Sequence, residues 1–352
     1  MPKFNKRRKA LYYVPVKQKY LSKWEYYKLD LDMLNDLFLE VQLVTSLKDY
    51  LINISSSDFV FCWWWHRSPH IVLLSKLFNK MVFVTGAVHM YDERTADDFF
   101  TKGFLFRLFC RFSWRFADCN ILISESQLRQ ITSHEKVNNP IVLKSSVSKN
   151  FSFPTSMTIQ SSKKNSENLN KFLTIIWQEK TSIKRKGVLE SLQAIKLLLQ
   201  GGETNFEWII AGEEGSATAI LKRQIYDLKL EKYVKIMTNL SNSQKMELYK
   251  ANDLYIQPSH YEGFGNSVLE AMSYGNIALV SSATSQPEVV QTSGFIVTNV
   301  NSEQIAKKLK IFCQMSFREK SLMKKETLEI VKKFHLYEYR LKNFNLIIEK
   351  LL

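Results

Sequence analysis

The segment SHYEGFGNSVLEAM (259–272) carries two glutamates, Glu262 and Glu270, eight positions apart around a pair of glycines. Gly263 and Gly265 permit tight or left-handed turns, and a helix is expected to start near Asn266 or Ser267. A glycine loop entering a helix exposes backbone N–H groups that lack intrahelical partners, with the positive end of the helix dipole behind them. Such a place binds phosphate or carboxylate. Glu262 stands at the mouth of the loop, where turn geometry gives no reason for a glutamate. Glu270 has two readings. It either meets a polar ligand on the helix end or closes a capping box with Ser267, reaching back to a backbone N–H.

A loop of this kind needs strands to hold it. In the first half of the chain the apolar runs at 10–16, 40–45, 58–66, 81–89, 119–124 and 140–145 read as strands, with helical patterns at 68–79, 98–117 and 124–134. Residues 152–170, rich in Ser, Asn and Lys, read as a linker. Strand patterns resume at 171–177, 206–212, 233–238, 253–259, 276–282 and 294–299, with helices at 186–200, 216–229, 241–251 and 266–275. Residues 301–352 read as wholly helical. Near-continuous apolar strands alternating with helices predict parallel sheets covered on both faces. The expected fold class is α/β, with two doubly wound domains and a ligand at the carboxyl ends of the strands.

The 352 residues suit two domains, and 45% hydrophobic with 24% charged residues is a globular composition. No apolar run reaches the roughly 18–20 residues that span a bilayer, and the basic start leads into only a short apolar run, so a cytoplasmic chain is expected. Cys62, Cys110, Cys119 and Cys313 are scattered without a CxxC pair, which predicts reduced, mostly buried thiols and no metal cluster. The net charge of +15 is shared between the halves and attracts polyanions: nucleic acid, anionic lipid or phosphate-bearing substrates.

The stretch EGFGNSVLEA resembles the E-x7-E signature of retaining glycosyltransferases of family 4. The flanking segment from ANDLYIQPS through SSATSQPEVVQTSGFIV, together with EWIIAGEEG and KRKGVLESLQAI upstream, resembles further blocks of that family in order. The resemblance is strong over 171–300, fair over 58–155 and weak over 1–57. It implies a GT-B fold: two Rossmann-like domains facing a central cleft, with C-terminal helices crossing back. The implied division is 1–151 as the acceptor-side domain, 152–170 as linker, 171–330 as the nucleotide-sugar-binding domain and 331–352 as a helix packing back on the first domain. Its implied activity is transfer of a sugar from a nucleotide-diphosphate donor to an acceptor hydroxyl with retention of configuration, in cell-envelope or surface polysaccharide or glycolipid synthesis. The implied partners are a nucleotide-sugar donor and a glycan or lipid-linked acceptor.

Carried over by position, the resemblance sets Glu262 and the backbone of Gly263, Phe264, Gly265 and Asn266 against the sugar and diphosphate, and Glu270 on the ribose. Lys186 matches the lysine that binds donor phosphates. Trp177-Gln178 stands where the family has a glycine–arginine pair, which leaves the phosphate role open among Lys184, Arg185 and Lys186. The plain alternative for KRKG is a solvated charge run before a helix. His89 aligns with a histidine reaching the donor sugar, against the ordinary reading of a structural strand-end histidine. His66 and His70 have weaker claims, and PVKQKYLSKW lacks the family's glycine-rich acceptor loop. Lys186, a neighbouring base and the 263–266 loop would stabilise the leaving nucleoside diphosphate without a metal or cofactor.

Two further features need an account. Asp30-Leu31-Asp32 is a D-x-D that in another glycosyltransferase fold would suggest a metal; here it reads as a helix start with dipole-favoured acids. Residues 99–118 place Leu105, Leu108, Phe109, Phe112 and Phe116 on one helical stripe, beside a ladder of Arg107, Arg111 and Arg115. The ladder reads either as a core helix whose arginines snorkel or as membrane-facing, giving peripheral attachment to an anionic inner-membrane surface. The rival classes are a basic nucleic-acid-binding protein, for which no recognition module is present, and a non-catalytic scaffold of the same fold, against which both glutamates argue. No nucleic-acid partner is expected.

Overall fold

The computed structural model describes residues 7–17, 21, 24–88, 90, 99–154 and 169–351. The chain divides into two compact units, Met1–Phe151 with His335–Leu352, and Ser152–Phe334. Both are built the same way, because both halves of the sequence supply strands apolar enough to be buried on two faces.

The first unit holds six parallel strands: β1 (Arg7–Tyr13), β2 (Phe38–Val44), β3 (Phe59–Trp63), β4 (Met81–Thr85), β5 (Cys119–Leu122) and β6 (Pro140–Val142), in the order β2-β1-β3-β4-β5-β6. Its helices are α1 (Glu25–Leu37), α2 (Leu47–Asn53), α3 (Pro69–Leu77), α4 (Phe104–Phe116) and α5 (Glu125–Thr132). The chain turns one way after β1 and the other way after β2, so right-handed crossovers send α1 to one face and α2 to α5 to the other. The packing agrees. Met33, Leu34 and Leu37 of α1 join Tyr12, Phe59 and Phe61 on one side, while Tyr50, Ile71, Val72, Cys110 and Trp114 join Leu11, Val60 and Val82 on the other.

In the second unit the strands are β7 (Asn170–Ile175), β8 (Phe206–Gly212), β9 (Val234–Thr238), β10 (Leu254–Gln257), β11 (Ile277–Ser281) and β12 (Gly294–Val297). Its helices are α6 (Lys180–Arg185), α7 (Val188–Gln200), α8 (Thr218–Asp227), α9 (Asn242–Ala251), α10 (Asn266–Ser273), α11 (Gln286–Val290), α12 (Ser302–Gln314) and α13 (Phe317–Phe334). The sheet order β12-β11-β10-β7-β8-β9 is all parallel. The chain begins at mid-sheet, steps outward through β8 and β9, then returns to the other side of β7. Strands β7 and β10 therefore diverge in their connections at their carboxyl ends, which opens a crevice at the switch point.

The last helix, α14 (Tyr337–Leu351), belongs to the first unit, where Leu341, Phe344 and Ile348 lie against the β1–β3–β4 core. It is pinned by the residue singled out as half of a D-x-D. Asp30 is in the middle of α1, not at its start, and is 1% exposed. Its carboxylate accepts from Arg340 Nη2 and, at 3.0 Å, from Trp63 Nε1. Burial pushes its pKa up, and the Arg340 guanidinium opposes that rise. Arg340 Nη1 also donates to the carbonyls of Leu143 and Lys144, at 2.9 and 2.6 Å. A buried pair with this many partners is costly to break singly, because one charge is then left alone in the core. Arg340→Leu is expected to lower the unfolding free energy by about 3–5 kcal/mol, and Asp30→Leu/Arg340→Leu to recover most of it, both read from urea melts. Equal destabilisation by the single and double changes would show that packing, not charge, holds α14.

Candidate functional site

The carboxyl end of β10 and two loops meet at the switch point of the second unit. Strand β10 ends at Gln257, the chain leaves through Pro258 and Ser259, and α10 begins at Asn266 with Gly265 as its N-cap. Gly265 has φ +105°, which L side chains rarely adopt, so the loop reaches the helix only through glycine there. Gly187, at the start of α7, has φ +66°, and a Cβ on it would lie 2.3 Å from the Pro258 carbonyl oxygen. That close approach brings the basic run Lys184-Arg185-Lys186 against the glycine loop.

Around it runs a continuous polar network. Lys186 Nζ donates to Gln257 Oε1 at 3.1 Å, and Gln257 Nε2 donates to Glu262 Oε2 at 3.1 Å. Arg185 Nη1 donates to the same Glu262 oxygen at 3.1 Å and to the Tyr261 carbonyl at 3.0 Å. Gln257 is fully buried, and its orientation is set by its neighbours, since an ammonium only donates and a carboxylate only accepts. Tyr255 adds an O–H to Gln257 Oε1 at 3.2 Å. Below the loop, the Glu262 N–H meets Thr284 Oγ1 at 2.9 Å, and Ser285 Oγ donates to the carbonyls of Glu262 and Phe264. The buried Gln286 side chain donates to the Gln257 carbonyl and accepts from the N–H groups of Ser259 and Ser281.

Burial pulls the Lys186 ammonium from its ordinary range down to about 8; Glu262 and Glu270 oppose the fall and Arg185 adds to it. Both glutamates are thus within Coulombic reach of one lysine. Glu270 Oε2 accepts from Lys245 Nζ at 2.8 Å and from the Tyr249 hydroxyl at 3.0 Å. The capping-box reading of Ser267 and Glu270 is not realised: the N-cap is Gly265, and no side chain caps that helix. Gly263 and Phe264 are buried in the loop, and the Asn266 Oδ1 atom is buried without a hydrogen-bond partner among the described residues. Lys184 is exposed on α6, as a solvated charge would be, while Arg185 and Lys186 turn inward. Gln178 is buried, accepts from Thr218 Oγ1 at 2.8 Å and donates to the Met237 carbonyl.

Gln257, Tyr255, Lys245, Tyr249 and the Thr284–Gln286 turn were not singled out in the sequence. A glutamine closing the apolar run DLYIQPS was the available signal for the first.

Of the residues proposed in the first unit, His89 lies outside the described residues. His66 follows β3, where Trp64 has the uncommon φ of +73°. Its ring stacks on Phe106 with centroids 4.5 Å apart, and burial, with help from Arg67 and Lys102, holds its pKa down at about 4. His70, also lowered by burial, meets the Tyr13 hydroxyl at 3.4 Å. The arginines of α4 have separate surroundings. Arg111 is bound by both Glu135 oxygens at 2.6–2.9 Å, Arg107 is half-buried, and Arg115 alone of the three is exposed. The helix meets the core through Cys110, Ser113 and Trp114, while Phe104, Leu105, Leu108, Phe109 and Phe116, most of the stripe read from the sequence, face solvent.

Two Rossmann-like units, each with a six-stranded parallel sheet, define a GT-B fold. A glycosyltransferase from Rickettsia africae is similar over 99% of both chains, with a TM-score of 0.69 and 15% identity. HepE of Anabaena, solved in complex with UDP and glucose, covers 97% of this chain and 99% of its own, with a TM-score of 0.73 and 15% identity. More particularly, residues 160–327 match the family described as glycosyl transferases group 1. O-antigen chain mannosyltransferase B of Escherichia coli is 32% identical over 112 residues, which is 32% of this chain and 29% of that one. The capsular polysaccharide biosynthesis glycosyltransferase CapM of Staphylococcus aureus is 26% identical over 140 residues, 39% and 36% of the two chains. The chain thus spans about a third of the length of the curated relatives it matches.

The Gln257 bridge makes a prediction about charge that is independent of any ligand. Gln257→Leu removes an acceptor from a buried ammonium and is expected to lower the Lys186 pKa below its value of about 8. Gln257→Glu adds a negative charge beside it and is expected to raise that pKa. The titration of the lysine 13Cε signal, assigned by its loss in Lys186→Arg, reads both. Shifts of the same sign would remove the bridge.

Proposed function

We propose that this chain is a retaining glycosyltransferase that moves a sugar from a nucleoside-diphosphate donor to an acceptor hydroxyl. The observation that carries the reading is the linked set Arg185, Lys186, Gln257 and Glu262 beside the start of α10, at the switch point where doubly wound sheets take nucleotides. Lys186 and Arg185 meet the diphosphate, and the amides at the start of α10 face the same charge. Glu262 lies against the sugar, and Glu270, held by Lys245 and Tyr249, takes the ribose hydroxyls. As the sugar–oxygen bond breaks, negative charge grows on the departing phosphate. A fixed ammonium and helix-terminal N–H groups stabilise it without a divalent ion. Attack on the face the donor leaves, with that phosphate accepting the acceptor's proton, retains the anomeric configuration. The relatives named for O-antigen and capsular polysaccharide support a surface glycan as acceptor.

A thermal-shift screen against nucleoside diphosphates and their sugar conjugates tests the donor site; a chain stabilised by none of them would sink the reading. Given a donor, Lys186→Ala is expected to lower kcat by about 10²–10³, the usual loss of one charge-stabilising group, and Glu262→Ala to abolish transfer with diphosphate binding retained. Turnover is expected to survive EDTA, and NMR of the first product to show the donor's anomeric configuration. The pH dependence follows from Lys186. Its protonated form binds the anion, so donor affinity is expected to hold below about 8 and to fall as pH rises through that value. Lys186→Arg, charged throughout, is expected to flatten the fall seen by calorimetry.

A further inference from the structure

Helix α7 begins with a glutamate that does not cap it. Glu190 is the third residue of α7, the position from which an acid can reach back to the N-cap N–H. Instead the Gly187 N–H goes to the Lys184 carbonyl, and no side chain caps the helix. The Glu190 carboxylate turns to the loop after β10, where its Oε1 lies 2.9 Å from Nε2 of His260. Its other oxygen is buried without a partner among the described residues. A carboxylate only accepts, so Nε2 of His260 carries the proton. With 11% of the His260 side chain exposed, water can do little in place of that bond.

The same residue is held through its backbone. The His260 N–H donates to the Arg185 carbonyl at 2.8 Å, while the Arg185 side chain returns to the Tyr261 carbonyl and to Glu262. Two residues beyond His260, Glu262 meets Lys186 through Gln257. Ser259 and Glu262 are fixed from below by Gln286 and Thr284, and His260 is the side chain that ties this stretch to α7. A loop bound only from below could slide along the front of α7. Lys186 and Glu262 stand on opposite sides of that seam.

We propose that His260 is a positioning residue for sugar transfer: clamped between the Arg185 carbonyl and Glu190, it sets the Glu262 carboxylate against Arg185 and Lys186. It acts through Glu262 and needs no contact with a ligand. A displacement of about 1 Å at such a pair is enough to cost about a hundredfold in rate. Glu190 forgoes a capping bond to hold this clamp. The role in transfer rests on the glycosyltransferase reading; the clamp and its hold on Lys186 do not.

Titration of the Lys186 13Cε signal in the ligand-free chain reads the clamp. His260→Leu is expected to move the midpoint below about 8, because Glu262 supports the ammonium less once its loop is released. Glu190→Leu is expected to do the same, and the double change to add nothing further, since both remove one bond. His260→Gln, which keeps an N–H near the place of Nε2, is expected to return the midpoint toward that of the parent chain. Transfer is measured with the nucleoside-diphosphate sugar that gives the largest thermal shift. There His260→Leu is expected to lower kcat by about ten- to a hundredfold with KM changed far less, and His260→Gln to recover most of it. A bond that only stabilises the fold would lower the melting temperature and leave the Lys186 midpoint and kcat in place. That result, additive single changes, or His260→Gln no better than His260→Leu would overturn the proposal. A parent chain that no sugar nucleotide stabilises would remove the glycosyltransferase reading instead, with the titration still deciding the clamp.

Discussion

An ammonium and a carboxylate can leave water together at the end of a buried sheet only if what lies between them is fixed and satisfies both. In the second unit that group is the Gln257 amide, with its oxygen on Lys186 and its nitrogen on Glu262. Glu262 is also paired directly with Arg185, so the amide links Lys186 into a set of three charges. An apolar residue in its place would take the Gln257 acceptor from the Lys186 ammonium, at a cost that grows as the dielectric falls, while Glu262 would keep Arg185. The glutamine keeps them apart and oriented. Much of the local backbone serves this bridge. Gly187 lets the basic run approach Pro258, and Gln286 ties the ends of β10 and β11 beneath it. Gly265 turns the chain into α10 beyond Glu262.

Buried charge is used in the opposite way in the first unit. Asp30 and Arg340 are both nearly inaccessible, touch each other directly and also bond to Trp63 and two carbonyls. Such a pair, closed off from solvent, acts as a lock between α1 and α14. Lys186 and Glu262 keep some exposure, and burial draws the lysine pKa down to about 8. A perturbed but reachable lysine of this kind is what sites for chemistry contain. The contrast explains why the D-x-D is a structural acid while the glycine loop is the candidate site.

The sheets were legible because their strands are buried on both faces and read as unbroken apolar runs; DLYIQPS became Leu254–Gln257, and NIALVSS became Ile277–Ser281. The long helices were legible from their period. Helices α2, α6 and α11, at five to seven residues, are too short to show one. At the site, Glu262 and Lys186 could be found because a glycine loop and a basic run mark themselves locally. Gln257 could not. Its partners lie 71 positions before and 5 after it, and only the return of β10 beside β7 brings them together. Trp177-Gln178 likewise read as a missing guanidinium, whereas the structure delivers one through Arg185 in the last turn of α6.

Helix α4 marks a different limit, one of sign. A period of 3.6 identifies a stripe and says nothing about which way the stripe points. Direction is chosen by what the core will accept. In α4 the core side needed a group to cap the Trp65 carbonyl, which Ser113 does at 2.7 Å, and a ring to pack edge-on against Trp65, which Trp114 supplies at 5.9 Å. Arg111 then had to reach Glu135 and lie over Phe99. With the helix rotated to meet these demands, the run of Phe and Leu was carried outward. Residue volume and specific bonding therefore set the direction of the helix, and its apolar stripe lies outward.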